Sequence, residues 1–172
     1  MGQSGLGSYT ANDLQKYLSG KQASVGFSVD SYVRDVTGSS VTKDLPTLME
    51  LIYMTFTDFE ISEEDYASAR STYSGILRNK ENTPQFVFSK KLSEFLYNSP
   101  RFYPVDVNTV EQADRGRILD IIHTQLANAA DYTFYFVGKF EVDSLRPLVE
   151  QYIATLPAKA DAKREIKYTG LG

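Results

Sequence analysis

Apolar positions along this chain follow two periods, and the places where one gives way to the other mark out its elements. Residues 132–137, YTFYFV, are β-branched or aromatic at every position, a composition that suits a well-buried strand. Gly138 ends the run. Leu145, Leu148, Val149, Tyr152, Ile153 and Leu156 then recur at three- and four-residue spacing as far as Pro157, so a helix capped by Asp143 is expected. Upstream, two-fold alternation from Ala23 puts Val25, Phe27 and Val29 on one face, and residues 32–36 continue it until Gly38-Ser39-Ser40 breaks the pattern. That stretch reads as a strand or a bent hairpin.

Between these strands the period is helical. A short turn over residues 13–18, capped by Asn12 or Asp13, ends at Gly20. From Thr42 a strongly amphipathic helix runs to Phe56 with Leu45, Leu48, Met49, Ile52 and Tyr53 on the same stripe, and Pro46 sits in its first turn where a missing N–H costs little. Ser62, followed by Glu63, Glu64 and Asp65, opens a second helix to Asn79 with Tyr66, Ala69, Tyr73, Ile76 and Leu77 expected inward. Thr83-Pro84 opens a third, to Tyr97, with Val87, Phe88, Leu92, Phe95 and Leu96 inward. Thr109-Val110-Glu111-Gln112 reads as a capping box before a fourth helix over 114–126, which buries Ile118, Ile121, Ile122 and Leu126. Residues 165–168 are a final strand or part of a linker. Strands separated by a run of helices predict an α+β architecture: one largely antiparallel sheet holding 23–36 and 132–137, with the helices at 42–56, 62–79 and 83–97 packed on one side.

A chain of 172 residues with 42% hydrophobic and 23% charged residues is one globular domain by size, able to bury roughly 70% of its unfolded surface. The divisions expected are a linker over 1–12, a single domain over 13–157, and a linker or last strand over 158–172. A net charge of −4 without a basic stripe gives no footprint for nucleic acid. Cysteine is absent, which removes disulfides, thiolate nucleophiles and Cys-based metal sites. No segment approaches the roughly 18 continuous apolar residues of a membrane span. Met1 leading through a Gly/Ser-rich run straight into structured sequence reads as an excised piece of a longer protein.

Candidate chemistry is sparse. His123 is the only histidine, so no histidine pair can bind zinc within the chain, and its neighbours Ile121, Ile122 and Leu126 mark it as structural. Glu60, Glu63, Glu64 and Asp65 lack the alternating ligands and central glycine of a calcium loop and suit a helix N-terminus instead. Gly5-Leu6-Gly7 has no strand and helix around it to make a nucleotide cradle, and no serine sits in a G-x-S-x-G elbow. Most aromatics fall on inward stripes. Phe102 and Tyr103, in a proline-bounded loop, are candidates for exposed contacts or for a plug on the core.

The wording of the chain carries a resemblance. Phe136-Val137-Gly138, then Leu145-x-Pro147-Leu148-Val149-x-x-Tyr152-Ile153-x-x-Leu156-Pro157, resembles the end of one repeat of the insulinase/pitrilysin-type zinc metallopeptidases. SGLGSYTANDLQKYLSGK at 4–21 is similar to the lead-in of the non-catalytic repeat of the long bacterial members, and KDLPTLMELIYMTF at 43–56 to the helix that follows. The spacing of Pro100-Arg101, Pro104 and NAADYTFYFVG at 128–138 also fits, so the resemblance covers nearly the whole chain.

What it implies is a domain of a zinc-dependent endopeptidase, truncated at its N-terminal strand and helix, whose parent binds zinc in another repeat through an HxxEH helix and a later glutamate. The helix expected to carry that glutamate, residues 66–79, contains no acid. The resemblance therefore implies a non-catalytic, chamber-forming repeat with no catalytic or metal residue and no cofactor of its own. Its partners would be the other repeats of the same polypeptide and an extended peptide substrate paired on the strand Val25, Gly26, Phe27, Ser28 and Val29. The alternative is a scaffolding relative that has lost proteolysis. For a bacterial parent the resemblance implies the cell envelope or periplasm, and a homodimer is expected of the fragment because a truncated repeat leaves apolar surface bare.

Overall fold

A computed structural model describes residues 5–6, 9–30, 33–97 and 99–160. The 165–168 segment, the expected last strand, lies outside the described residues. Element order is β1 (Gly5–Leu6), α1 (Ala11–Tyr17), β2 (Ala23–Val29), β3 (Arg34–Ser40), α2 (Leu45–Thr57), β4 (Phe59–Glu60), α3 (Glu63–Glu81), α4 (Pro84–Leu96), α5 (Val107–Glu111), α6 (Arg115–Leu126) and α7 (Val142–Leu148). The fold is α+β. Its main sheet is the antiparallel hairpin β2–β3, in register from Ala23 opposite Ser40 to Val29 opposite Arg34. A smaller antiparallel pair joins Gly5 to Glu60 and Leu6 to Phe59.

The hairpin alternative for 23–36 is the observed one, but β3 runs straight through Gly38-Ser39-Ser40, where the sequence pattern suggested a break. Pairing to β2 and packing on α2 outweigh the weak strand preference of these small residues. Gly38 is needed there, because a Cβ would lie 2.7 Å from Leu48 Cδ1.

Helix α2 is the centre of the molecule. It packs on β2, β3, α6 and the helix near the C-terminus, and it buries Leu48, Met49, Leu51, Thr55 and Phe56. Thr55, fully buried, returns its hydroxyl to the carbonyl of Leu51 at 2.7 Å, so no polar group is left without a partner there. Phe56 packs edge-on against Tyr132, with ring centroids 4.9 Å apart, and against Phe134 at 5.9 Å.

The expected helix starts at Ser62, Thr83 and Asp114 are present, each side chain accepting from the backbone N–H three residues on. Three caps differ. Thr10 caps α1 rather than Asn12 or Asp13, and Asp106 caps the unforeseen α5, so residues 109–112 lie inside or at the end of that helix instead of opening the next. Asp143 sits within the first turn of α7, which starts after Glu141 without a side-chain cap. Pro147, which has no N–H to give, lies inside this last helix, and the chain widens there into a π-type turn over Val149–Ile153, closed by Ala154 N–H to Val149 O at 2.9 Å.

Two expectations about packing are overturned. Among the described helices α2 provides the main cover of the hairpin; α3 packs chiefly on α5 and to a lesser extent on α4, and α3 buries only Ser74 and α4 only Phe86. Tyr73, Ile76, Val87, Phe88, Leu92, Phe95 and Leu96 are therefore exposed, Phe95 at 86%. Their stripe is real, but no described element lies against it.

The second correction concerns residues 132–137, which join no sheet. Tyr132 and Phe134 are drawn down onto Phe56, while Tyr135 is 83% and Val137 97% exposed. The segment is held away from β3, so the backbone pairing that its composition predicts has no described partner.

Arg34, the first residue of β3, fixes the near end of that segment. Its guanidinium donates to Gln125 Oε1 at 2.7 Å and to Asp131 Oδ2 at 3.0 Å, and lies 4.9 Å from the centre of the Tyr132 ring. Tyr132 in turn donates its hydroxyl to the carbonyl of Gln125 at 3.0 Å, and burial pushes its phenol pKa up. Asn128 Nδ2 donates to the other Asp131 oxygen at 3.0 Å. Replacing Arg34 by alanine removes the guanidinium from the nearly buried Asp131 carboxylate, and urea unfolding is expected to show a loss of about 3 kcal/mol. Phe56→Ala, which empties the aromatic cluster without touching that ion pair, is expected to cost about 3–5 kcal/mol in the same measurement.

Candidate functional site

Two strand edges face outward from the hairpin. β2, which contains the expected peptide-pairing residues Val25, Gly26, Phe27, Ser28 and Val29, pairs with β3 along one side, and no described strand pairs with its other side. Val25 and Phe27 point into the core, and Phe27 meets Phe59 edge-on at 6.2 Å. Val29, at the hairpin end, is exposed. Gly26 lies over Thr37, where an added Cβ would sit 3.4 Å from Oγ1.

The other edge, that of β3, borders a cleft of about 660 Å³, within the ~300–1,000 Å³ common for binding pockets. One wall is β3 and the other is residues 131–140. Leu45, Leu48, Ile52 and Phe56 of α2 form the floor. Arg34 and Asp131 close one end. Burial alternates along the far wall: Tyr132, Phe134 and Phe136 are half-buried, and Thr133, Tyr135 and Val137 are exposed. The wall thus has strand-like sidedness without a strand partner. Sequence reasoning missed this cleft, because it lies between elements far apart in the chain and no local pattern announces it.

The remaining candidates resolve into structure. His123 Nε2 lies 2.8 Å from the Phe59 carbonyl oxygen, tying α6 to β4. Arg115 joins the acids of β4 and α3: its Nε donates to Glu63 at 2.8 Å, and its Nη1 to Glu60 at 3.2 Å and to the Ile61 carbonyl at 3.0 Å. Glu63 chiefly raises the Arg115 pKa. The acidic run is thus an anchor for a cation of the chain itself, and the clue available in the sequence was the basic Arg115 one residue after the Asp114 cap. Phe102 stacks on Tyr97 with centroids 5.0 Å apart, and the Tyr103 hydroxyl donates to the Tyr97 carbonyl at 3.3 Å, so this pair closes its own loop. Among the described residues, no group of three or more His, Cys, Asp or Glu side chains is placed to hold a metal ion. No helix among them is long and apolar enough to cross a membrane.

Asp106 is the strongest electrostatic feature. Lys90 Nζ donates to Oδ2 at 2.8 Å, while the Thr109 hydroxyl and N–H donate to Oδ1 at 2.7 and 2.9 Å. The Lys90 hydrogen bond, then those from Thr109, hold the Asp106 carboxyl far below the ordinary carboxylate range. Glu81 adds a further acceptor for the Val107 N–H at 2.6 Å.

Comparison with solved structures gives this geometry a context. The fold superposes on the ferredoxin protease FusC, solved as a point mutant in complex with Arabidopsis ferredoxin, with a TM-score of 0.75 and 16% identity over 96% of this chain and 18% of that one. It also superposes on the periplasmic protease PqqL from Escherichia coli, with a TM-score of 0.76 and 20% identity over 94% of this chain and 18% of that one. No family model and no curated protein matches the sequence. The fold is that of a segment occurring within proteases. The chain spans about a fifth of each.

Asp106→Ala, which removes both the cap and the Lys90 partner, is expected to destabilise the chain by about 1 kcal/mol at pH 7. Because the folded carboxyl titrates below the unfolded one, the Asp106 contribution is complete above about pH 4 and fades as pH falls toward the folded value. Urea unfolding of the two proteins should therefore converge below about pH 4, and a difference that stays constant down to about pH 2 would refute this account.

Proposed function

We propose that this chain is a non-catalytic, chamber-forming domain of an insulinase/pitrilysin-type zinc endopeptidase. The observation that carries the reading is the superposition of nearly the whole chain on segments of two long proteases, which agrees with the family resemblance of its wording. In this reading zinc and the catalytic acids belong to another repeat. Here α3, the helix expected to supply a late glutamate, faces α5 with Tyr66 and Arg70, which donate to the carbonyls of Ala113 and Glu111. The bare apolar stripe of α3 and α4 is then the surface on which other repeats of the same polypeptide pack. PqqL is a periplasmic protease, and a bacterial parent of this chain is assigned by the same reading to the cell envelope or periplasm.

Peptide binding in this reading belongs to β2. Its outer edge offers backbone donors and acceptors in register, and an extended substrate would add there as a strand, with affinity from the main chain and little demand on side chains. The scaffolding alternative differs only in the parent, where an HxxEH helix with a downstream glutamate decides for proteolysis.

The test on the chain itself is metal analysis after dialysis, with peptide cleavage measured with and without chelator. Well under one zinc per chain and no chelator-sensitive cleavage are expected; stoichiometric zinc with cleavage would overturn the non-catalytic assignment. Light scattering over a hundredfold concentration range is expected to show self-association through the α3–α4 face. Phe95→Glu, placed on a largely solvent-facing ring, should restore the monomer without loss of helix content.

A further inference from the structure

We propose that the cleft between β3 and residues 132–137 is the seat of one inserted strand, and that its occupant is an extended segment, apolar at alternate positions, from the longer polypeptide. This rests on the reading of the chain as one domain of a longer peptidase, and it concerns the opposite edge of the hairpin from the β2 site. Three observations carry it.

The first is the backbone of residues 133–137. Among the described residues these positions make no backbone hydrogen bond, although every one is of a type that favours strands. A run of this composition whose amides and carbonyls meet no described backbone partner has the character of a strand awaiting a neighbour. The second is the facing wall. β3 pairs with β2 on one side only, so its free edge and the bare wall border the same cleft from opposite sides. Both walls begin at the Arg34–Asp131 clasp and line the same cleft beyond it. A strand placed between them would find hydrogen-bonding partners on both flanks.

The third is the floor. Leu48, Ile52 and Phe56 lie one helical turn apart along α2 and line the cleft from below. Successive side chains of a strand alternate between faces, so an inserted segment lays every second residue on this apolar row and turns the others to the open side. That sets the chemistry of the occupant: apolar at alternate positions, with no proline in the paired stretch. The source follows from the comparison, since the same fold takes up only 18% of each solved protease and the remaining length can supply such a segment.

The experiment is hydrogen exchange on the 172-residue chain, read peptide by peptide, with two synthetic probes. One alternates valine and threonine between lysine ends. The other has the same composition reordered to helical spacing. The alternating probe is expected to slow exchange by about tenfold or more in residues 34–40 and 133–137 together, and the reordered probe to leave both unchanged. Ile52→Lys, which puts a charge into the half-buried floor, should abolish that protection while circular dichroism shows the helices intact. Should that variant lose its helices, Val137→Pro and Phe136→Pro provide the second check: these amides bond to no described backbone group, and whichever N–H faces the cleft should weaken probe binding when removed.

Four results overturn the proposal. Protection confined to 23–29 would leave pairing at β2 and remove this seat. Protection already present in the free monomer and lost on deletion of 161–172 would make the chain's own tail the occupant. Protection that grows with protein concentration alone would assign the cleft to a second copy, and no protection with any probe would leave it without a strand. The zinc measurement reports on the peptidase-domain reading separately, so failure of one is distinguishable from failure of the other.

Discussion

The carboxylate of Asp131 is almost buried, and a buried charge must be neutralised where it stands. Arg34 does this, and because Arg34 is the first residue of β3 the neutralisation also decides where β3 lies relative to everything that follows α6. The Arg34 guanidinium touches Gln125 near the end of α6, Asp131 at the entry to the bare segment, and the ring of Tyr132. Residues far apart in sequence are thereby set side by side. Were this contact made of apolar groups it would tolerate sliding; a planar guanidinium with two directed hydrogen bonds does not. The position of the cleft walls at this end follows from that one geometry.

Helix α2 works with the clasp by a different kind of force. It has apolar residues on more than one face, so it lies between the hairpin and the C-terminal helix instead of capping one layer. Phe56 sits where these contacts converge, under Tyr132 and Phe134, and pulls the far wall of the cleft toward the floor at one end only. Beyond Phe134 that pull stops. Tyr135 and Val137 then stand in solvent, although their residue types belong in an interior.

Much of this was legible in the sequence, and the division between what was and was not is physical. Helix starts at Ser62 and Thr83 could be read because a cap is a local bond between a side chain and an amide three residues away, whereas the cap read at 109–112 belongs instead to Asp114. The hairpin could be read because period-two alternation is local too. What failed was every statement about which surface covers which. The stripe of Val87, Phe88, Leu92 and Phe95 says that a face is apolar, but covering it takes another element, and none of the described residues provides one. The same holds for residues 132–137: composition declares a strand, and pairing depends on a neighbour. For the candidate site the contrast is sharper. Val25 to Val29 could be named in advance as a strand because alternation is local, and as a peptide-pairing strand only through the family resemblance; the cleft beside β3 could not, since it is made by a gap between β3 and a segment much later in the chain. The engagement of Glu60 and Glu63 by Arg115 was hidden for the same reason, and it turns an apparent cation site into an internal ion pair.

The bare segment also bears on how the chain behaves when many copies are present during synthesis or concentration. A run reading YTFYFV, without proline or charge inside it and with amides that bond to no described backbone group from Thr133 onward, has the makings of a template for stacked β-structure between molecules. Asp131 stands immediately before it, and Gly138 with Lys139 immediately after. Charges and a glycine at the borders of such a run oppose the in-register stacking of like chains, because each added copy brings the same charge into line with the last. The residues that frame the cleft thus also border this run with features that oppose its propagation between copies.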